Sequence, residues 1–205
     1  MDHPIRQSSV HTRWKGCAVG EVDTVREVDA NTTPKARATD TYVAVVADDL
    51  SVEATIDWAT LPQCGAVVIF TGVVREYSTD VAGRPADGVV SIDYQAYESV
   101  ARVRLFEIAA AARDRWPGIG RIALLHRVGS VPLGEAGVLV CVSSGHRVDA
   151  FLAAQFCIDV LKASVPVWKL EQRAGVSDWV ETGVQIEGVE RAASQWLPAT
   201  YGRSS

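Results

Sequence analysis

Lys162 and Lys169 stand seven residues apart on either side of Pro166, in the run Leu161-Lys-Ala-Ser-Val-Pro-Val-Trp-Lys169-Leu-Glu171. Both are set among apolar residues. An amine in partly apolar surroundings has a lowered pKa and serves as base, acid or nucleophile. A proline cannot continue a helix, and a chain that doubles back at Pro166 lets the two amines converge. Upstream, the apolar run Val138 to Val142 feeds directly into Ser143-Ser-Gly-His-Arg147. This pattern is a strand delivering the chain to a helix start, where unpaired N–H groups and the helix dipole favour an anion. His146 and Arg147 add donors there. Cations at that end oppose the dipole, a local conflict that makes sense if an anion binds. Arg75 ends a β-branched strand, and its planar fork of donors suits a phosphate. Each residue also has a plain structural role open to it: Arg75 as a solvated strand end, His146 as a helix cap, Lys162 as a partner of the helix dipole, Lys169 as a guard on an edge strand.

The bulk properties narrow the setting. With a net charge of -5, no global basic footprint for nucleic acid exists, and any anion site is local. No apolar run reaches the roughly 18 residues that span a bilayer, and the first residues lack a signal-peptide apolar region, so the expected location is the cytoplasm. Cys17, Cys64, Cys141 and Cys157 form no CxxC pair or zinc spacing and are expected to be buried small hydrophobes. His126, in an apolar strand, reads as a structural histidine. With no HExxH, facial triad, Walker loop, GxGxxG or GxSxG, neither a metal nor a resident cofactor is expected.

The elements that must position these groups follow from periodicity. Residues 1–40 are polar and lack sustained pattern, and read as a mobile extension; 41–190 form the folded domain; 191–205 are a C-terminal tail. Strands are expected at Tyr42 to Ala47, at Gly65 to Arg75 with a bulge or close approach at Gly72, at Val90, Ile92, Tyr94 and Ala96 on one face, at Arg121 to Val128, at Val138 to Val142, and from Val167 to Leu170. Trp179 marks one more. Glu76 to Gly88 is expected to be a loop and Gly129 to Gly137 a turn-rich connector. Helices are expected after a Ser51 cap, over Ser99 to Trp116 with Val103, Phe106, Ala110 and Arg113 on its spacing, and from Arg147 to Ala163, apolar nearly all round and including Phe151. A short helix after Ile186 is also expected. The alternation gives an α+β fold with helices on a mixed sheet.

Taken together and in order, Gly65-Ala-Val-Val-Ile-Phe-Thr-Gly-Val-Val-Arg75, Tyr94-Gln-Ala-Tyr97, Arg115-Trp-Pro117, His126-Arg-Val-Gly129, Ser143-Ser-Gly-His-Arg147 and Leu161 to Lys169 resemble the large, catalytic subunit family of molybdopterin synthase. The resemblance runs from about Tyr42 to Gly188. It implies an α/β hammerhead fold with an additional antiparallel β subdomain, and a homodimer within a heterotetramer. Its partner would be a small ubiquitin-like sulfur-carrier subunit whose C-terminal Gly-Gly thiocarboxylate donates sulfur. The substrate would be cyclic pyranopterin monophosphate, converted to molybdopterin. Residue by residue, Lys162 matches the essential lysine and Lys169 the second active-site lysine. Arg75, His146 and Arg147 match anion and pterin contacts, and Val73, Val74, Leu170 and Glu171 fall in stretches lining the pocket. Val73 and Leu170 stand where lysine and arginine are often found. Two rival functions remain at this point: a Schiff-base lysine enzyme on a phosphorylated substrate, and a non-catalytic module binding a ubiquitin-like partner.

Overall fold

β-Branched and apolar residues dominate the segments that pair into the larger of two main sheets. The computed structural model describes residues 40–79, 85–173, 176–179 and 186–198. The expectations for residues 1–39, with Cys17, and for 199–205 lie outside them. The larger sheet has the order β1-β6-β8-β2, with β1 Thr41–Val46, β2 Ala66–Val73, β6 Ile119–Arg127 and β8 Ala136–Ser144. β1 runs parallel to β6, while β6–β8 and β8–β2 are antiparallel. The smaller sheet, β10-β9-β5-β7, is antiparallel throughout and joins β5 Val89–Ala96, β7 Gly129–Pro132, β9 Val167–Arg173 and β10 Val176–Trp179. Two short strands, β3 Ser78–Thr79 and β4 Pro85–Ala86, pair with each other. With four helices among the described residues the architecture is α+β.

Helix α1, Val52–Ala59, starts at Ser51, whose hydroxyl accepts from the Ala54 N–H as expected of a cap. It covers one face of the larger sheet over Ala123, Leu125, Leu139 and Cys141. The other face carries α2 Glu98–Arg115 and α3 Arg147–Ser164, with α4 Val189–Gln195 packed on both. Trp116, Phe156 and Trp196 meet edge to face where these helices join, with ring centroids 5.3–6.0 Å apart. Gly72 sits at the expected irregularity: the β2–β8 register shifts between Gly72 and Val73, and a Cβ on Gly72 would lie 2.6 Å from Val138 Cγ1.

Several expectations are corrected. In α2 the buried face is Ala101, Leu105, Ile108, Ala109 and Ala112, whereas Val103 and Phe106 are exposed and Arg113 is only half-buried. Small alanines let the helix lie close to the sheet, so size misidentified the inner face. Arg113 instead donates to the carbonyls of Asp40, Ile119 and Gly120, tying the start of β1 to that of β6. Phe151 of α3 is 62% exposed rather than buried. In β5 a register shift between Val89 and Ser91 buries Val89 and turns Val90 outward, which breaks the simple alternation. The Gly129 to Gly137 connector contains β7, and the expected loop after Glu76 contains β3 and β4, with 80–84 outside the described residues.

Candidate functional site

The site grows from the junction where α3 ends and β9 begins. Pro166 has no N–H and fixes its φ, so the helix stops and the chain turns into β9. Lys162 lies in the last helical turn, exposed, with Nζ 6.0 Å from the centroid of the Phe70 ring on β2. Lys169 is half-buried on β9, with Nζ 6.0 Å from the Tyr94 ring on β5. Register places Tyr94 opposite Lys169 and Ile92 opposite Glu171. The approach of β8 beneath is permitted by Gly137, where a Cβ would lie 2.8 Å from the Tyr94 ring.

The electrostatics join these groups into one cluster. Burial lowers the Lys169 pKa, the Lys162 and Arg75 charges lower it further, and Glu171 opposes them. Glu171 itself is buried, and a buried carboxylate needs donors. It accepts from Ser78 Oγ at 2.8 Å and from the Arg173 guanidinium, which also donates to Ser78 Oγ at 2.7 Å. Burial and the Glu171 charge together raise the Tyr94 pKa. Beside Tyr94, His126 is buried, its ring 5.2 Å from the Tyr94 ring. Burial pushes its pKa down to about 4, with a further push from Lys169. It is therefore neutral near pH 7, and its Nδ1, 2.7 Å from the Arg127 carbonyl oxygen, carries the donated proton. A neutral imidazole adds no charge to a site that already holds three cations.

Arg75 follows the end of β2 in an exposed segment held from below. The Val74 side chain is buried with Val89, Ile92, Tyr94 and Val131, while its N–H donates to Glu135 O and its carbonyl accepts from Gly134 N. Arg75, Lys162, Lys169 and Glu171 are thus brought together, with Val74 beneath them. Four of the expected residues stand elsewhere in the chain. Val73 points outward, 53% exposed. Strand alternation puts Leu170, paired with Asp93, on the opposite face of the sheet from Lys169 and Glu171. His146 and Arg147 are exposed at the other end of α3. At 1.5 Å per residue, His146 is roughly 24 Å along the helix axis from Lys162. His146 occupies the N-cap position in extended geometry, φ −127° and ψ 140°, but its side chain makes no cap hydrogen bond. Within one chain the expected single cluster is therefore two.

Ser78, Arg173 and Tyr77 were not singled out from sequence. Ser78 and Arg173 carry a signal only in three dimensions, since they meet Glu171 across strands. Among the described residues no three His, Cys, Asp or Glu side chains gather as metal ligands. Burial raises the pKa of the Cys141 thiol to about 11 and that of Cys157 to about 12, which keeps both protonated and inert. No helix among the described residues is long and apolar enough to cross a membrane.

Comparison with known proteins identifies the family. The family model described as MoaE protein matches residues 45–164. A molybdopterin synthase catalytic subunit of Aedes aegypti is 41% identical over 143 residues, covering 68% of this chain and 88% of that protein. The crystal structure of molybdopterin synthase from Staphylococcus aureus superimposes with a TM-score of 0.60 at 32% identity, covering 66% of this chain and 94% of that one. A complex of subunits 1 and 2 of the molybdopterin-converting factor from Helicobacter pylori shares the fold, with a TM-score of 0.56 at 19% identity over 71% of this chain and 92% of that one. The chain belongs to the MoaE family, whose curated relatives are molybdopterin synthase catalytic subunits.

Proposed function

We propose that Lys162 is the principal acid/base of a sulfur transfer to a pterin phosphate, with Lys169 assisting and Arg75 holding the phosphate. Family membership makes the activity that of a molybdopterin synthase catalytic subunit, a sulfurtransferase of molybdenum cofactor biosynthesis. The single observation that carries the residue assignment is the α3–β9 junction, which sets Lys162 against the Phe70 ring and Lys169 against the Tyr94 ring, close enough that the Lys162 and Arg75 charges both lower the Lys169 pKa. Two cationic groups around a lysine whose proton is already loosened suit a phosphorylated substrate that needs proton transfers. A lysine ammonium protonates a leaving oxygen, and a neutral amine takes up a proton. The described cysteines are half-buried or buried, and Cys141 and Cys157 remain thiols, which fits sulfur arriving from outside the chain.

The donor in this reading is a small ubiquitin-like subunit ending in a Gly-Gly thiocarboxylate. Its sulfur forms a C–S bond to a side-chain carbon of the pterin as the C–O bond at that carbon breaks and Lys162 protonates the departing oxygen. Water then cleaves the acyl C–S bond, which leaves the sulfur on the pterin and releases the carrier as a carboxylate. A second carrier repeats the transfer at the neighbouring carbon. The hammerhead description of the larger sheet and its helices, and the heterotetramer built on a homodimer, belong to the same reading. The homodimer also gives His146 and Arg147 a role. A twofold axis crossing α3 near its middle sets the helix start of one copy beside the Lys162 end of the other. Two features support such a seam: β2 is an edge strand without a charged residue, and Val148 and Phe151 of α3 are exposed at 59% and 62%. His146 and Arg147 then bind the substrate held by the partner copy's lysines.

The test is reconstitution with a thiocarboxylated small subunit and the pterin precursor, following dithiolene formation by mass spectrometry. Lys162→Ala should fold, bind the small subunit and lose at least a hundredfold in turnover, the scale of general acid–base catalysis. Turnover near the wild-type rate refutes the assignment.

A further inference from the structure

Segment 74–78 is pinned at three alternate positions: Val74 by its two backbone bonds to the β7–β8 turn, Glu76 by its carbonyl accepting from Val89 N, and Ser78 by its hydroxyl on Glu171. Between these anchors the Arg75 and Tyr77 side chains both project outward. The Arg75 guanidinium carbon lies 4.8 Å from the centroid of the Tyr77 ring, and Tyr77 is 56% exposed. An exposed loop tyrosine with no other task loses side-chain freedom by being held there, and an exposed cation–π contact returns little. The pair also stands at the site, because the Arg75 charge acts on Lys169 and the next residue, Ser78, is bonded to Glu171.

We propose that Tyr77 is a substrate-binding residue that stacks the flat pyrimidine ring of the pterin, while Arg75 beside it takes the phosphate. The proposal rests on the pterin-phosphate reading above and adds the feature by which the ring itself is recognised. Flat nitrogen heterocycles stack on aromatic faces and guanidinium planes, and losing one such platform costs an amount comparable with losing a base–aromatic stack. Tyr77 is distinct from the residues that transfer protons, so its loss should weaken binding rather than chemistry.

The test compares Tyr77→Ala and Tyr77→Phe in the complete enzyme, with inorganic phosphate as competitor and calorimetric binding of the pterin monophosphate as a readout independent of turnover. In Tyr77→Ala, KM and the dissociation constant should rise about tenfold, with kcat within about twofold and phosphate competition unchanged. Tyr77→Phe should behave as wild type, because the ring does the work. Three results overturn the proposal: binding by Tyr77→Ala within twofold of wild type, an equal loss in Tyr77→Phe, or a parallel loss of phosphate competition, which would make Tyr77 only a prop for Arg75. Lys162→Ala measured alongside separates the two readings. If that variant turns over normally the catalytic assignment fails, whereas the binding constants of the Tyr77 variants still decide this one.

Discussion

Lys169 shows how a residue's chemistry is set by what surrounds it. It stands opposite Tyr94, senses two other cations, and keeps Glu171 as its counterweight. Because its folded pKa lies below the unfolded value, the unfolded chain binds the extra proton between those two values. Lys169 therefore costs stability at neutral pH, and that cost is relieved as pH rises through the window up to 10.5. Removing a neighbouring cation should reverse part of the effect. In Arg75→Ala the Lys169 midpoint, followed by NMR of its side-chain carbon, should move up. In Glu171→Gln it should move down. A midpoint indifferent to both changes would mean that the cluster is not electrostatically coupled. At this scale the sequence was informative: two lysines flanking a proline with apolar neighbours announce a perturbed amine, and Lys169 is one. It could not announce the Glu171–Ser78–Arg173 network, because those contacts form across strands rather than along one.

At the scale of elements, the last turn of α3 deserves the closest look, since it carries Lys162. Its terminal carbonyls are occupied from three directions. The Val165 N–H donates to Leu161 O, the Glu187 N–H donates to Ala163 O, and Arg104 of α2 donates to Ser164 O and, at 3.0 Å, to Glu187 O. A guanidinium on the C-terminal carbonyls also complements the helix dipole. Arg104→Gln should loosen the turn, with faster amide exchange at residues 163–165 and 187 and a roughly tenfold drop in kcat at little-changed KM, while Arg104→Lys recovers part of the loss. Unchanged exchange and kcat would show that the turn holds without it. Strand and helix positions were largely readable, including the Ser51 cap and the Gly72 irregularity. The inner face of α2 was not. Val103 and Phe106 outweigh Ala101, Ala109 and Ala112 in any count of apolar size, yet those three alanines, with Leu105 and Ile108, form the face that packs closely on the sheet. Val90 was misread because the extra residue at the bulge reverses the strand before it, while Ile92 and Tyr94 beyond it keep the expected inward face.

At the scale of the molecule, two sheets meet where Tyr94 packs over Gly137 and His126, and that junction supplies the floor of the lysine site. The second cationic pair, His146 and Arg147, stands at the far end of an 18-residue helix. This separation follows from helix rise alone, but it matters only once both groups are assigned to one substrate. A site shared between two copies brings both groups to one substrate, and subunit mixing tests it directly. Lys162→Ala and His146→Ala/Arg147→Ala proteins should each be inactive alone. Unfolded, mixed and refolded together with the small subunit and pterin precursor, they should recover about a quarter of wild-type activity, because half the dimers are mixed and each mixed dimer holds one intact site. A mixture as inactive as its components would contradict the shared site.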